Sequence, residues 1–224
     1  MAARSPSHDP ERHLVMTEVC IVGAGGYGRV ALSQMLDDAA YGKEWRIAGF
    51  LDSRRDVLDG YVTGCEIIGD PLTYVPRRQD VFVCAIGQPS FRPTYVLPLL
   101  AKGAHFINIL TEAYIARNVT IGQGCFMERR VTIGPDCRLG NFVVLHSLSV
   151  LGHDVVVGDY SQISCFCFVG GGAEIGTGVT VFPHATILPG RRIGDGATIG
   201  AGSVVLNDVP PGATVFGNPA RRIS

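Results

Sequence analysis

The stretch VLGHDVVVGDY, residues 150–160, sets an imidazole beside a carboxylate in a run rich in valine and leucine. In such a pair, Asp154 can fix the tautomer and orientation of His153, and the ring can then accept or deliver a proton. The plainer alternative is a satisfied structural histidine. A second chemical candidate is the turn Gly23-x-Gly25-Gly26-x-Gly28. Glycines there let the backbone approach a phosphate, and a following helix offers unpaired N–H groups to it. Asp52 follows Gly28 by 24 residues, near the roughly 20 at which an acid meets a ribose hydroxyl. Three readings stay open for this turn: a tight turn alone, a nucleotide or nucleotide-sugar site, and an NAD site. The seven cysteines show no C-x-x-C spacing. Cys165 and Cys167 would point to opposite faces of a strand. They read as reduced, buried thiols of a cytoplasmic protein, with neither a metal nor a disulfide expected.

The glycine turn needs a strand before it and a helix after it. Val19–Val22 is a short apolar run of strand type, and a helix is expected from the turn to about Ala39. WRIAGFLD, ending at Asp52, DVFVCAIG, residues 80–87, and HFINIL, residues 105–110, read as further strands. PSFRPTYVLPLLAKG reads as a helix closing at Gly103. Residues 17–110 therefore form a small Rossmann-like α/β domain, short of a full dinucleotide fold. Residues 1–16 are polar, contain His8 and His13, and read as a disordered extension without a secretion signal.

From residue 111 the texture changes. Every sixth residue from Ile121 to Val205 is aliphatic or Met, through Met127, Ile133, Leu139, Leu145, Leu151, Val157, Ile163 and onward. A small residue commonly stands two positions earlier, and glycine commonly follows, as at Gly134, Gly152 and Gly170. A hexapeptide period is the signature of a parallel β-helix. Three hexads per turn make a triangular prism with the aliphatics inside and the glycines at the corners. Residues 111–224 are assigned to this prism. His153 then falls at a corner, and Glu128 lies directly one coil from His146. With 46% apolar residues, 17% charged residues and a net charge of −1, the chain can bury a core. It has no basic stripe to draw nucleic acid or an anionic membrane.

The hexads, the closing VVLNDVPPGATVFGNPARRI and the leading IVGAGGYG together resemble the left-handed β-helix acyltransferases. They are most similar to the bacillosamine- and perosamine-type nucleotide-sugar N-acetyltransferases and the sialic acid O-acetyltransferases. The resemblance spans residues 17–223. It implies a homotrimer that acetylates a nucleotide-linked sugar in glycan or surface-polysaccharide biosynthesis, with acetyl-CoA as co-substrate and no metal. It implies that Gly23, Gly25, Gly26, Tyr27, Gly28, Asp52 and His146 serve the sugar nucleotide. Gln162, Gly171, Gly190, Asn218 and Pro219 would serve CoA between subunits. His153 would be the general base and Asp154 its orienter.

Three departures from the family pattern stand out. His146 replaces an asparagine seven residues before the base. Gln162 replaces a histidine nine residues after it. Phe166, Phe182 and His184 stand where relatives more often have glycine, which implies a reshaped acyl channel or a packed seam. Three alternatives remain: O-acetylation of a free or lipid-linked sugar, a non-catalytic scaffold, and a carbonic-anhydrase-like metal protein. The last needs three histidine ligands, and only His146, His153 and His184 lie in the repeats.

Overall fold

Dipeptide strands, one per hexad, stack at a spacing of one coil in the computed structural model, which describes residues 16–224. Val144 pairs with Gln162 on one face, Val150 with Phe168 on the second and Val156 with Glu174 on the third. The faces hold seven, six and five strands, so the solenoid is the expected three-sided parallel β-helix. Ile133, Leu151, Ile163 and Ile187 are buried inside it, and Ile121 of the first coil is partly covered. The small residue two positions earlier also points inward, as Val131, Ser149 and Ser161 show. Each fully buried aliphatic contributes about 1.5–3 kcal/mol over exposure, so the stack gains stability coil by coil. The period breaks near the C-terminus. There Thr198 pairs with Thr214 and Ile193 with Val209, two residues earlier than the coil period requires. A short antiparallel strand, Arg221–Arg222, closes the seven-stranded face.

The corners hold the expected glycines where a side chain would crowd the next coil. The glycine after each aliphatic is not the left-handed residue. A Cβ on Gly134 would lie 2.5 Å from the Gly152 carbonyl oxygen, so that glycine lets successive coils stack closely. The left-handed residue comes two positions later, at Asp136 (φ 62°) and Asp154 (φ 58°). Phe166 (φ 59°) and His184 (φ 61°) hold the same conformation, which costs an L-residue about 1–2 kcal/mol. Their rings stack with centroids 4.9 Å apart and an interplanar angle of 2°. Phe182 is not left-handed; it occupies the position after the aliphatic Val181 and is 44% exposed.

The small domain has a four-stranded parallel sheet, β1 (Thr17–Val22), β2 (Trp45–Leu51), β3 (Ile67–Gly69) and β4 (Asp80–Cys84), in the order β3-β2-β1-β4. Helix α1 runs over Gly26–Leu36 and α2 over Arg92–Ala101, the latter preceded by a 3-10 turn at Pro89–Phe91. The helix after the glycine turn thus ends before Ala39, and β3 is an element that the apolar patterning did not flag. HFINIL is not a strand. Phe106 bridges to Phe82 of the small sheet, whereas Ile109 bridges to Phe126 of the solenoid. The segment divides its backbone bonds between two domains, and neither gets a full ladder.

The small domain docks on the seven-stranded face. Phe126 and Val144 share an apolar cluster with Ile21, Phe50 and Val83, and Phe142 shares another with Phe106 and Leu99. Gln34 donates to the Met127 carbonyl at 2.8 Å, and Thr111 donates to Asp38 at 2.7 Å. The expected N-terminal extension, with His8 and His13, lies outside the described residues but for Met16. No helix among the described residues is long and apolar enough to cross a membrane.

Candidate functional site

His153 follows the strand Val150–Leu151 and sits in the corner turn, its side chain 68% exposed. Its Nδ1 lies 2.7 Å from Asp154 Oδ2. An ionised carboxylate only accepts, so this contact places the ring proton on Nδ1 and leaves the Nε2 lone pair free in the neutral ring. The neighbouring coils hold the turn rigid. Asp154 N donates to Pro135 O at 3.0 Å, and Gly172 N donates to His153 O at 2.8 Å. Gly171 stands one coil beyond His153, where a Cβ would come within 2.5 Å of His153 Nε2. Gly190 N donates to Gly171 O at 3.0 Å. His153, Gly171 and Gly190 therefore share one corner column.

The glycine turn shapes a separate cavity of about 410 Å³ in the small domain, at the C-terminal ends of β1, β2 and β4. Gly23, Gly25, Gly26, Tyr27, Asp52 and Arg54 are among its lining residues, opposite Ile86–Gln88 and Tyr95. Gly23 needs its φ of 101°, and a Cβ there would meet Ala85 O at 2.8 Å. Gly28 abuts Gly23 O closely enough to exclude a side chain. The first amides of α1 thus open onto the cavity, a polarity that suits an anion.

Asp52 does not present a free carboxylate to that cavity. Oδ2 accepts from Ala24 N at 2.9 Å, and Arg54 approaches through N and Nε at 3.0 Å and Nη2 at 2.9 Å. Burial works to raise its pKa, but the bonds from Arg54 and Ala24 outweigh it and hold the carboxyl below the usual range. Asp52 buckles the glycine turn, and the charge left facing the cavity is the Arg54 guanidinium, 62% exposed. Arg54 is a site residue that the motif search missed, since the motif counts only the acid.

His146 and Gln162 lie under the small domain, away from the Gly171–Gly190 corner. His146 Nδ1 contacts Glu128 Oε1 at 2.7 Å, the contact expected from the one-coil spacing. Glu128 is buried and also accepts from Ser147 N at 2.9 Å and Ser147 Oγ at 2.7 Å. Burial works to raise its pKa, but the bonds from His146 and Ser147 bring it below the ordinary glutamate value. Gln162 Oε1 accepts from Arg92 Nη2 at 2.6 Å, which leaves its amide N–H groups as free donors. Asn218 and Pro219 follow the strand Thr214–Phe216 at the end of the solenoid, joined by a cis peptide. The three repeat histidines have three different sets of neighbours, Glu128, Asp154 and Phe166, and do not converge as a three-histidine metal site would require.

Comparison with known proteins agrees with both domains. The PglD N-terminal domain family model matches residues 18–96, and the bacterial transferase hexapeptide model (six repeats) matches residues 172–207. The acetyltransferase domain of PglB from Neisseria gonorrhoeae FA1090 is 27% identical, with a TM-score of 0.83 over 92% of this chain and 99% of that chain. PerB from Caulobacter crescentus, solved in complex with CoA and GDP-perosamine, is 25% identical, with a TM-score of 0.83 over 92% of this chain and 97% of that one. A probable serine acetyltransferase 1 of Oryza sativa subsp. japonica is 48% identical over 80 residues; the match takes in 32% of this chain and only 26% of that protein's length. With a PglD-type domain in front of a hexapeptide-repeat solenoid, the chain belongs to the hexapeptide-repeat β-helix acetyltransferases of the PglB and PerB type.

Proposed function

We propose that the protein transfers an acetyl group from acetyl-CoA to the amino group of a nucleotide-linked sugar. The observation that carries this reading is the His153–Asp154 pair, whose free Nε2 opens onto a side-chain-free corner at Gly171. The sugar amine attacks the thioester carbonyl while Nε2 takes the amine proton. The tetrahedral intermediate then collapses, the C–S bond breaks, and the imidazolium returns its proton to the CoA thiolate. Asp154 stabilises the imidazolium throughout. The relatives support the substrate class, since PerB was solved with CoA and GDP-perosamine. The small-domain cavity supports it too, with its helix N-terminus and the Arg54 cation toward a diphosphate.

Incubating the enzyme with acetyl-CoA and a panel of GDP-, UDP- and dTDP-linked amino sugars tests the reading. Release of free CoA with one of them is expected; none across the panel would overturn it. Arg54→Ala is expected to raise the Kd for that sugar nucleotide roughly tenfold to a hundredfold, the loss of one charged contact. Acetyl-CoA affinity should stay constant in the same variant. If both affinities fall together, Arg54 acts on folding and not on the diphosphate.

The cavity around the glycine turn is lined by residues of the small domain alone, and His153 is not among them. A homotrimer resolves this separation by seating the cavity of one subunit against the His153 corner of another. Sedimentation at micromolar concentration is expected to give the trimer, and a stable monomer with full activity would exclude a shared site.

A further inference from the structure

Stacking by coils joins residues that no local motif connects. Glu128 and His146 are one coil apart, and Cys165 lies one residue beyond the next coil. A carboxylate oxygen, an imidazole nitrogen and the Cys165 sulfur all lie within 4.8 Å of one another. The site is sheltered: Glu128 is buried, the His146 side chain is 14% exposed and Cys165 is half-buried. Beside it stands Tyr27, whose ring meets the His146 ring edge-on at 5.2 Å. The Tyr27 hydroxyl is buried and has no hydrogen-bond partner among the described residues. A buried polar atom without a partner costs stability, and a native structure that keeps one calls for an explanation.

One oxygen, one imidazole nitrogen and one sulfur form a mixed ligand set that suits zinc and not magnesium or calcium, which take oxygen alone. We infer that Glu128, His146 and Cys165 bind a single thiophilic divalent cation of the zinc class at the seam between the two domains. On binding, the Cys165 S–H proton passes to solvent and a metal–sulfur bond forms. The 2.7 Å Glu128–His146 contact opens as both side chains turn onto the ion. Three protein ligands leave one tetrahedral position for water, and that water gives the Tyr27 hydroxyl its missing partner. The cation then pins the first turn of α1, which carries Tyr27, to three successive coils of the solenoid. The C-x-x-C test of the sequence cannot detect such a site, because its ligands are neighbours across coils and not along the chain.

The full chain, stripped by a chelator and titrated with Co²⁺, tests the inference through binding and not through acetyl transfer. A saturating, equimolar thiolate-to-cobalt charge-transfer absorption is expected, and Zn²⁺ should displace it. Cys165→Ser should abolish that absorption. His146→Gln should weaken binding by roughly tenfold or more. Cys65→Ser, at the other half-buried cysteine outside this cluster, should change nothing. Melting in chelator shows that each variant folds, and zinc should raise the melting temperature of the wild type but not of Cys165→Ser. No charge-transfer absorption from the wild type, or the same absorption from Cys165→Ser, would overturn the site and leave the acetyl-transfer reading untouched.

Discussion

Replacing His153 with asparagine is expected to lower kcat about 10²- to 10⁴-fold, the usual contribution of a positioned general base. Acetyl-CoA affinity should change little, because Nε2 meets the sugar amine and not the body of CoA. The prediction rests on geometry more than on residue type. The 2.7 Å contact with Asp154 leaves Nε2 as the free acceptor, and the corner turn is fixed by backbone bonds to the coils on either side. Gly171→Ala makes the complementary case. Its methyl group would enter the space of the imidazole, and displacing a catalytic group by about 1 Å can cost on the order of 10²-fold. A covalent route through a cysteine is disfavoured by the thiols themselves. Burial raises the pKa of Cys165, and the Glu128 carboxylate raises it further. Burial likewise pushes Cys167 to about 11 and Cys125 to about 12. Thiols this reluctant to ionise are poor nucleophiles. Near wild-type turnover in His153→Asn, or an acylated cysteine found by mass spectrometry during turnover, would sink the direct-attack mechanism.

Arg92→Met is expected to destabilise the protein by about 3–5 kcal/mol, since several buried acceptors lose their donor at about 1–3 kcal/mol each. Arg92 has no exposed surface and, among the described residues, no carboxylate partner. Its guanidinium donates to Ile86 O at 2.8 Å and Gly87 O at 3.0 Å in the small domain. Across the seam it donates to Tyr160 O at 2.8 Å, Phe142 O at 3.1 Å and Gln162 Oε1 at 2.6 Å. Burial lowers its pKa, yet the planar fork meets every acceptor at once, which a lysine's compact ammonium cannot do. Methionine fills much of the volume but leaves those carbonyls buried and unpaired. At about 2–4 °C per kcal/mol for a chain of this size, the melting temperature should fall by on the order of 10 °C. The loss should fall on the seam, so the small domain should come away before the solenoid melts. Arg92→Lys should recover only part of the stability. Equal melting of Arg92→Met and the wild type would mean that the two domains hold together without this side chain.

What the sequence determined by itself was whatever repeats or lies close along the chain. An aliphatic at every sixth position from Ile121 to Val205 dictates short strands and turns. Strand pleating and volume then leave little choice but a three-sided stack. The glycine turn between Val22 and the first helix was legible for the same reason, since its neighbours are local. So was the corner position of His153, two residues past the inward Leu151. Local pattern also misled. It made HFINIL a strand, although its backbone bonds are split between two domains. The glycine after each aliphatic does stand where a Cβ would crowd the next coil, but the pattern left open which corner residue takes positive φ. Tertiary structure alone decided which charges meet. The partnership of Asp52 with Arg54 and Ala24 follows from the fold of the small domain, and the meeting of Glu128, His146 and Cys165 from the stacking of coils. The reach of Arg92 to Gln162 across seventy residues of chain and the contact of Tyr27 with His146 follow from docking the small domain on the seven-stranded face. The physical reason is that coil register and domain docking are set by the sum of many apolar contacts, whereas each polar meeting they create involves residues with no mark of one another in the chain.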